Sequence, residues 1–318
     1  MLPETPTTRS SSHVKSRHAM VLAHLGALLA VVMWGVSFVS TKVLLDHGMS
    51  PVEIYIYRFV VAYILVLCIC HKRLMSHSWR DEMLFAVCGL CAGSIYFIAE
   101  NTALEYTLVS NVSLLTSTSP LIVVFLVAVL YKAERPNRGA VIGSLVAFAG
   151  VACVIFNSSF NLEVRPLGDF LSLAAALSWA IYSLVLRRLN VVYDAWFITR
   201  KTFFWGILTA IPFVLFEPET MPISSVVESS VVLGNLLFLA VGASVVGYIM
   251  WARSVKSLGA VKSNNYLYLQ SIVTLVVSAV WLGERVSVVG YTGCGLILMG
   301  LWLSDSLSRR FAARATRC

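Results

Sequence analysis

Residues 94–120 concentrate groups that can donate, accept or carry charge. Glu100 and Asn101 come first, then Asn111, then a file of hydroxyls at Ser113, Thr116, Ser117, Thr118 and Ser119 that ends on Pro120. Both flanks are long and apolar. Polar groups this dense are costly in hydrocarbon and are found facing a bundle interior or a wet cavity. The chemistry they offer is recognition. Amides and hydroxyls orient a polar solute, an acid holds a cation or a proton, and Pro120 bends the helix that carries them. No bond-making set accompanies them. His13, His18, His24, His47, His71 and His77 fall in tails, loops or the ends of apolar runs, without ligand spacing. There is no Gly-rich phosphate loop and no Ser-His-Asp set, so no enzyme activity, metal site or cofactor is expected. Cys88-Gly-Leu-Cys91 has redox or zinc spacing, but it lies within an apolar run and lacks a second ligand pair. It reads as packing, since a free cysteine behaves as a small hydrophobe.

The elements that must position these groups are membrane spans. Hydrophobic residues make up 58% of the chain and charged residues 13%, well below the ~25% charged content of soluble domains. The apolar residues come in runs of about 20, the length that crosses ~30 Å of hydrocarbon. Ten such spans are expected, at 22–45, 52–71, 83–102, 107–131, 138–157, 168–189, 194–216, 231–252, 260–282 and 287–304. The fold class is therefore all-α and polytopic. Residues 1–21 are polar and read as a disordered tail, and 305–318 as a basic one. The connections are too short for a soluble domain. The first run is too long for the apolar core of a signal peptide and has no clear cleavage site.

The net charge of +8 follows topology. Arg9, Lys15 and Arg17, then Lys72, Arg73 and Arg80, Lys132, Arg135 and Arg138, Arg187 and Arg188, Arg253 and Lys256, and the C-terminal arginines all fall on one side. Arg165 and Arg285 fall on the other. The positive-inside rule then puts both termini in the cytoplasm, with the chain multi-pass in the cell (inner) membrane. No basic patch is interleaved with aromatics, so nucleic acid is excluded as a partner. The bilayer and a small-molecule substrate are the expected partners, and a homodimer is an open alternative to a monomer.

The chain also repeats itself. Glu134-Arg135, Gly143 and Gly150 recur as Glu284-Arg285, Gly293 and Gly300; Trp34-Gly35 is echoed by Trp179-Ala180, and Arg58 by Arg200. Spans 1–5 thus correspond to spans 6–10. Five is odd, so the halves enter the membrane from opposite sides. Such inverted repeats are common in secondary transporters, with the site near the midplane between halves.

Trp34-Gly-Val-Ser-Phe38, Lys42, Ser50-Pro51 and Arg58 open a pattern that continues in Ser119-Pro120 and Lys132-Ala-Glu134-Arg135-Pro136, with an echo at Leu282-Gly283-Glu284-Arg285. In these residues the chain resembles EamA-type members of the drug/metabolite transporter superfamily, over about residues 22–304. The resemblance implies one EamA-like repeat at 22–157 and a second at 168–304. It also implies alternating access and a central cavity lined by spans 1, 3, 4, 6, 8 and 9. The activity it implies is export of amino acids or related compounds. Uptake or exchange of another small organic solute, or a non-transporting receptor or scaffold, are the alternatives. One departure stands out: Gln270 occupies the second-half position of Pro120, so the bend in span 4 has no expected partner in span 9.

Counting ~1.5 Å per residue, the side chains nearest the midplane on those spans include Trp34, Ser37, Ser94, Tyr96, Ser117, Trp179, Tyr182, Ser244, Tyr248, Tyr268 and Gln270. Trp34, Ser37, Tyr96, Ser117, Trp179, Tyr182, Tyr248, Tyr268 and Gln270 are the candidate substrate contacts, because a small amphipathic solute needs aromatic faces and a few fixed hydrogen-bonding groups. Glu100, Asn101 and Asn111, nearer the outer face, and Pro120, where span 4 bends, are the candidates for a gate or proton-linked role. Arg58 and Arg200, on spans outside the implied cavity, read as structural anchors, with recognition of a substrate carboxylate or an ion-pair gate as the alternative. Lys42, Lys262, Glu134 and Glu284 read as helix-end groups, and Asn264-Asn265 as a pair at a cavity mouth or bonded to neighbouring helices.

Overall fold

The computed structural model describes residues 6–106, 109–131, 136–155, 166–216, 221–281 and 287–315. They form ten helical spans: α1 (Pro6–Asp46), α2 (Pro51–Ile69), α3 (Trp79–Gly89, Leu90–Ser94 and Ile95–Tyr106), α4 (Val109–Thr116 and Ser119–Leu130), α5 (Arg138–Ile155), α6 (Pro166–Leu189), α7 (Ala195–Leu215), α8 (Ser230–Leu237, Phe238–Val246 and Gly247–Leu258), α9 (Ala260–Asn265 and Tyr268–Trp281) and α10 (Val288–Ala315). Six stretches are each long and apolar enough to cross a bilayer: Ala19–Asp46, Pro51–Ile69, Trp79–Ala103, Pro166–Leu189, Ala195–Leu215 and Ser230–Leu258. Shorter apolar stretches occupy α4, α5 and α10. Local chemistry sets several starts. Ser50 and Glu53 form a reciprocal capping box with Pro51 in the first turn of α2, and Asp194 accepts from Trp196 N and Phe197 N (2.9 and 3.0 Å) at the start of α7. Each satisfies backbone donors that the helix itself cannot.

The relation between halves is visible where α5 meets α10. A Cβ built on Gly143 would lie 2.5 Å from Gly300 O, and one on Gly300 would lie 2.6 Å from Gly143 O. The same reciprocity joins Gly150 and Gly293, at 2.7 Å each way. Position 143 meets 300 and 150 meets 293, so the helices run antiparallel, as an odd number of spans per repeat requires. The repeated glycines are the means, because only a hydrogen side chain allows backbones this close.

Two details differ from the sequence expectations. First, α1 begins at Pro6, so the helix extends through most of the expected tail; likewise α10 continues to Ala315. Second, α9 breaks without a proline. In α4 the break is a tight turn in which Thr118 N donates to Leu115 O (3.1 Å). In α9, Leu267 N donates to Asn264 O (2.9 Å) and Gln270 N to Leu267 O (3.1 Å). Side-chain amides support this turn. Asn264 Nδ2 donates to Ala260 O (2.9 Å), while Asn265 accepts from Ser144 (3.0 Å) and donates to Ser304 (2.8 Å), tying the first half of α9 to α5 and α10. Those bonds make the asparagine pair a tie between helices. Glu134, Arg135, Glu284 and Arg285 lie outside the described residues.

The matched arginines diverge. Arg200 donates to the carbonyls of Cys70 and Leu74 and anchors the connection after α2. Nearby, Lys201 pairs with Glu82, each side chain 6% exposed, and Trp205 Nε1 donates to the same carboxylate (2.9 Å). Removing one partner of a buried pair strands the other charge. Lys201→Met should therefore cost about 3 kcal/mol, read as a lowered thermal unfolding midpoint in detergent. A midpoint equal to the wild type would show that Glu82 is held by Ser76 and Trp205 alone.

Candidate functional site

α3 and α8 each carry a π-helical segment, Leu90–Ser94 and Phe238–Val246. A π turn disrupts the regular i−4 ladder, and such bulges occur often at functional sites. Carbonyls within both segments accept from side chains of other helices. Cys91 O accepts from Ser178 Oγ (2.6 Å), Ala92 O from Tyr248 OH, and Ala243 O from Trp34 Nε1 (2.8 Å). The repeat-related pair Trp34 and Trp179 is thereby brought together at the junction of the halves, edge to face, with centroids 5.1 Å apart.

Above this contact, on the side toward which α1 and α3 run, lies a cavity. Its wall includes Trp34, Ser37, Phe38 and Thr41 of α1, Tyr96, Phe97, Glu100 and Asn101 of α3, Thr116, Ser117 and Ser119 of α4, and Leu267, Gln270, Ser271 and Thr274 of α9. Trp179 and Arg58 complete it. The space open to the centres of water molecules is about 60 Å³, several times the ~10–15 Å³ that one water needs. Both halves of the chain contribute, and so do both broken helices.

Arg58 is 3% exposed and Glu100 is 5% exposed. The guanidinium donates through Nε to Ser244 Oγ (2.6 Å) and lies over the rings of Phe97 (4.5 Å) and Phe59 (5.3 Å). Its Nη2 is buried without a hydrogen-bond partner. The Glu100 carboxylate accepts from Tyr96 OH (2.9 Å). Asn101 donates to Pro51 O (3.3 Å), tying α3 to the start of α2.

Of the candidate contacts, Trp34, Ser37, Tyr96, Ser117, Trp179 and Gln270 are on the wall, as are Glu100 and Asn101. Three tyrosines are not. Tyr248 points its hydroxyl at Ala92 O and packs on Phe203 (5.2 Å), beneath the wall. Tyr182 is buried against Trp179 (5.2 Å) in the same layer. Tyr268 packs with Ala147, Val151, Val154 and Ile297, on the α5 and α10 side. Depth alone selected them, and depth does not say which face of a helix a residue occupies. Pro120 is buried in the first turn after the α4 break, and its neighbour Ser119 reaches the wall. Nothing is described of the Asn111 side chain. Ser94 pairs with Thr209 Oγ1 (2.8 Å) and packs α3 on α7. Lys42 is a solvated helix-end group, paired with Asp46 at 2.8 Å and 58% exposed.

Sequence reasoning did not name Phe38 as a wall residue, nor Thr41, Ser271 and Thr274 at all, and it left Arg58, Thr116 and Ser119 out of the candidate contacts. A helical-period signal was present for several. Trp34, Ser37, Phe38 and Thr41 follow i, i+3, i+4, i+7, and so do Leu267, Gln270, Ser271 and Thr274. Arg58 had no such signal, because its likeness to Arg200 suggested a shared role that the structure does not give them.

The fold and the chain match known proteins. A solved crystal structure, 19% identical, superimposes with a TM-score of 0.74 over 93% of this chain and 99% of that one. An "Uncharacterized transporter" of Archaeoglobus fulgidus is 25% identical over 287 residues, 89% of this chain and 97% of that protein. A "Probable terminal-alkyne amino-acid exporter" of Streptantibioticus cattleyicolor is 27% identical over 289 residues, covering 89% and 94%. A "Probable amino-acid metabolite efflux pump" of Escherichia coli is 25% identical over 284 residues, covering 87% and 93%. Residues 21–156 and 166–304 each match one pattern in turn, and with both halves so matched the chain belongs to the EamA-like transporter family, whose members are membrane transporters.

Proposed function

We propose that this transporter exports amino acids or closely related metabolites by alternating access, with the cavity between the halves as its substrate site. The observation that carries the proposal is the wall itself. Two repeat-related tryptophans, a buried arginine, a buried glutamate and a file of hydroxyls and amides converge on one cavity between inverted halves. Aromatic faces would hold the apolar part of a solute, and Ser37, Ser117, Asn101 and Gln270 would orient its polar part. A non-transporting scaffold needs no such cavity. Two relatives bear names that include amino-acid export or efflux, which supports both the substrate class and the direction.

In the orientation with both termini cytoplasmic, the cavity lies on the outer side of the Trp34–Trp179 contact. Trp251 packs on both tryptophans from the other side, with centroids at 5.2 and 6.0 Å. This layer would be the inner closure of an outward-facing state. The breaks in α4 and α9 are the places where the half-helices can swing, one on each side of the pseudo-twofold axis. Sealed proteoliposomes loaded with a broad panel of small metabolites test the proposal. Substrate-dependent efflux of amino acids is the expected result. No protein-dependent flux of any panel member would overturn it.

A further inference from the structure

We infer that Arg58 and Glu100 read the two opposite charges of a zwitterionic solute, so that the site takes free α-amino acids and discriminates against their decarboxylated and deaminated counterparts. The inference rests on the transport reading above and deepens it.

The argument begins with charge. Arg58, on α2, and Glu100, on α3, line the same cavity while being almost wholly buried. No described ion pair joins them. The direct partners found for Arg58 are the Ser244 hydroxyl and two phenylalanine rings, and Glu100 acts on it through space without an ion-pair contact. One guanidinium nitrogen has no hydrogen bond at all. Leaving a buried charged donor unsatisfied is costly, so a wall of this kind gains when an acceptor arrives. A carboxylate is the acceptor best matched to a guanidinium, because it can take two parallel N–H bonds.

Glu100 supplies the opposite requirement. The Tyr96 hydroxyl provides one donor to its carboxylate and no positive charge. An ammonium group placed here would meet carboxylate oxygens with acceptor capacity left over. The rings of Trp34, Tyr96 and Trp179 border the same space, and their faces also favour a cation. With Glu100 ionised, the two wall groups sum to zero. A solute with one net charge would match one of them, leave the other unmatched and bring an uncompensated charge into a low-dielectric site. A zwitterion matches both and leaves the balance unchanged. Sites built around a charged or hydrogen-bonding group of the solute reject analogues that lack it far more strongly than apolar pockets reject a missing methylene.

The second half of the chain offers no duplicate. Arg200, the repeat partner of Arg58, is committed to two loop carbonyls, and the region of α8 matching Glu100 reads Ile249-Met-Trp-Ala. The charged pair is therefore a specialisation of the first half and presents a single binding orientation.

The test uses the full chain in sealed proteoliposomes and three triads. They are leucine, phenylalanine and methionine, each with its decarboxylated amine and its deaminated acid. With the wild type, at least one amino acid should move at least about tenfold faster than both of its counterparts. Glu100→Gln should narrow the gap between amino acid and deaminated acid. Arg58→Gln should narrow the gap between amino acid and amine. Equal flux of an amine or acid with its amino acid in the wild type overturns the inference. So does an unchanged ratio in a variant whose unfolding midpoint matches the wild type. If Arg58→Gln does not fold, the wild-type ratios and the near-isosteric Glu100→Gln still decide. Flux of some other solute in the broad panel, with none of any amino acid, overturns the zwitterion assignment and leaves transport standing. No flux of anything overturns both.

Discussion

Gly300→Val is expected to leave little folded protein. The first atom of any side chain at this position would lie 2.4 Å from Ala147 N and 2.6 Å from Gly143 O. Both are backbone atoms of α5, so no rotamer change can relieve the contact. The helices would have to separate along a seam where Gly143, Gly150, Gly293 and Gly300 hold them together. Overpacking a core that can repack costs about 1–3 kcal/mol. Here the obstacle is backbone, so a cost of at least about 3 kcal/mol is expected. The comparison is Gly295→Val on the same helix, where an added Cβ meets nothing within 4 Å. Membrane yield and the thermal unfolding midpoint of the two variants give the answer. Equal stability of both would mean that the α5–α10 seam does not hold the halves together.

Trp34→Ala should be the most damaging change at the cavity itself. Trp34 meets Trp179 at 5.1 Å, Trp251 at 5.2 Å and Tyr248 at 5.9 Å between centroids. It also fills the notch at Gly247, where an added Cβ would lie 2.7 Å from its Nε1. Truncating such a residue costs about 3–5 kcal/mol. In the protein that remains folded, substrate-dependent flux should drop by at least about tenfold, because the residue is both wall and seal. Trp34→Phe separates two contributions. It keeps an aromatic ring but removes the donor to Ala243 O in the π segment of α8, at a cost of about 1–3 kcal/mol. Trp302→Ala, on a side chain 64% exposed, is the surface control and should stay within about 0.5 kcal/mol of the wild type. Unaltered flux in folded Trp34→Ala would remove this residue from the transport path.

Much of the site was legible wherever a helix kept its regular period. From Trp34, the rule of three and four leads to Ser37, Phe38 and Thr41; from Tyr96 it leads to Glu100. Depth alone does not carry this phase: Tyr268 and Gln270 are two residues apart in the second half of α9 and so on opposite faces, Tyr268 toward α5 and α10 and Gln270 toward the cavity. Nor does the period show the turn at Tyr266–Leu267 that precedes them. No proline announced that turn. Its cause is a set of amide bonds from Asn264 and Asn265 to partners that include residues far away in sequence, Ser144 among them. The π segments were equally silent in the sequence, since the groups that occupy their carbonyls come from other helices.

Composition and repetition alone determined that the chain is a ten-helix membrane protein with two inverted halves. Hydrocarbon demands long apolar runs with satisfied backbones, and an odd repeat can only insert upside down. Those constraints act on every residue of a run, so they are written redundantly and survive local irregularity. The assignment of roles to Arg58 and Arg200 was decided only by tertiary structure. Both are arginines at matched positions, yet one is held by loop carbonyls and the other lines a cavity that a glutamate also lines. A charge takes its role from what lies within a few ångströms of it in a low-dielectric interior, and those neighbours come from helices that the order of the chain does not bring together.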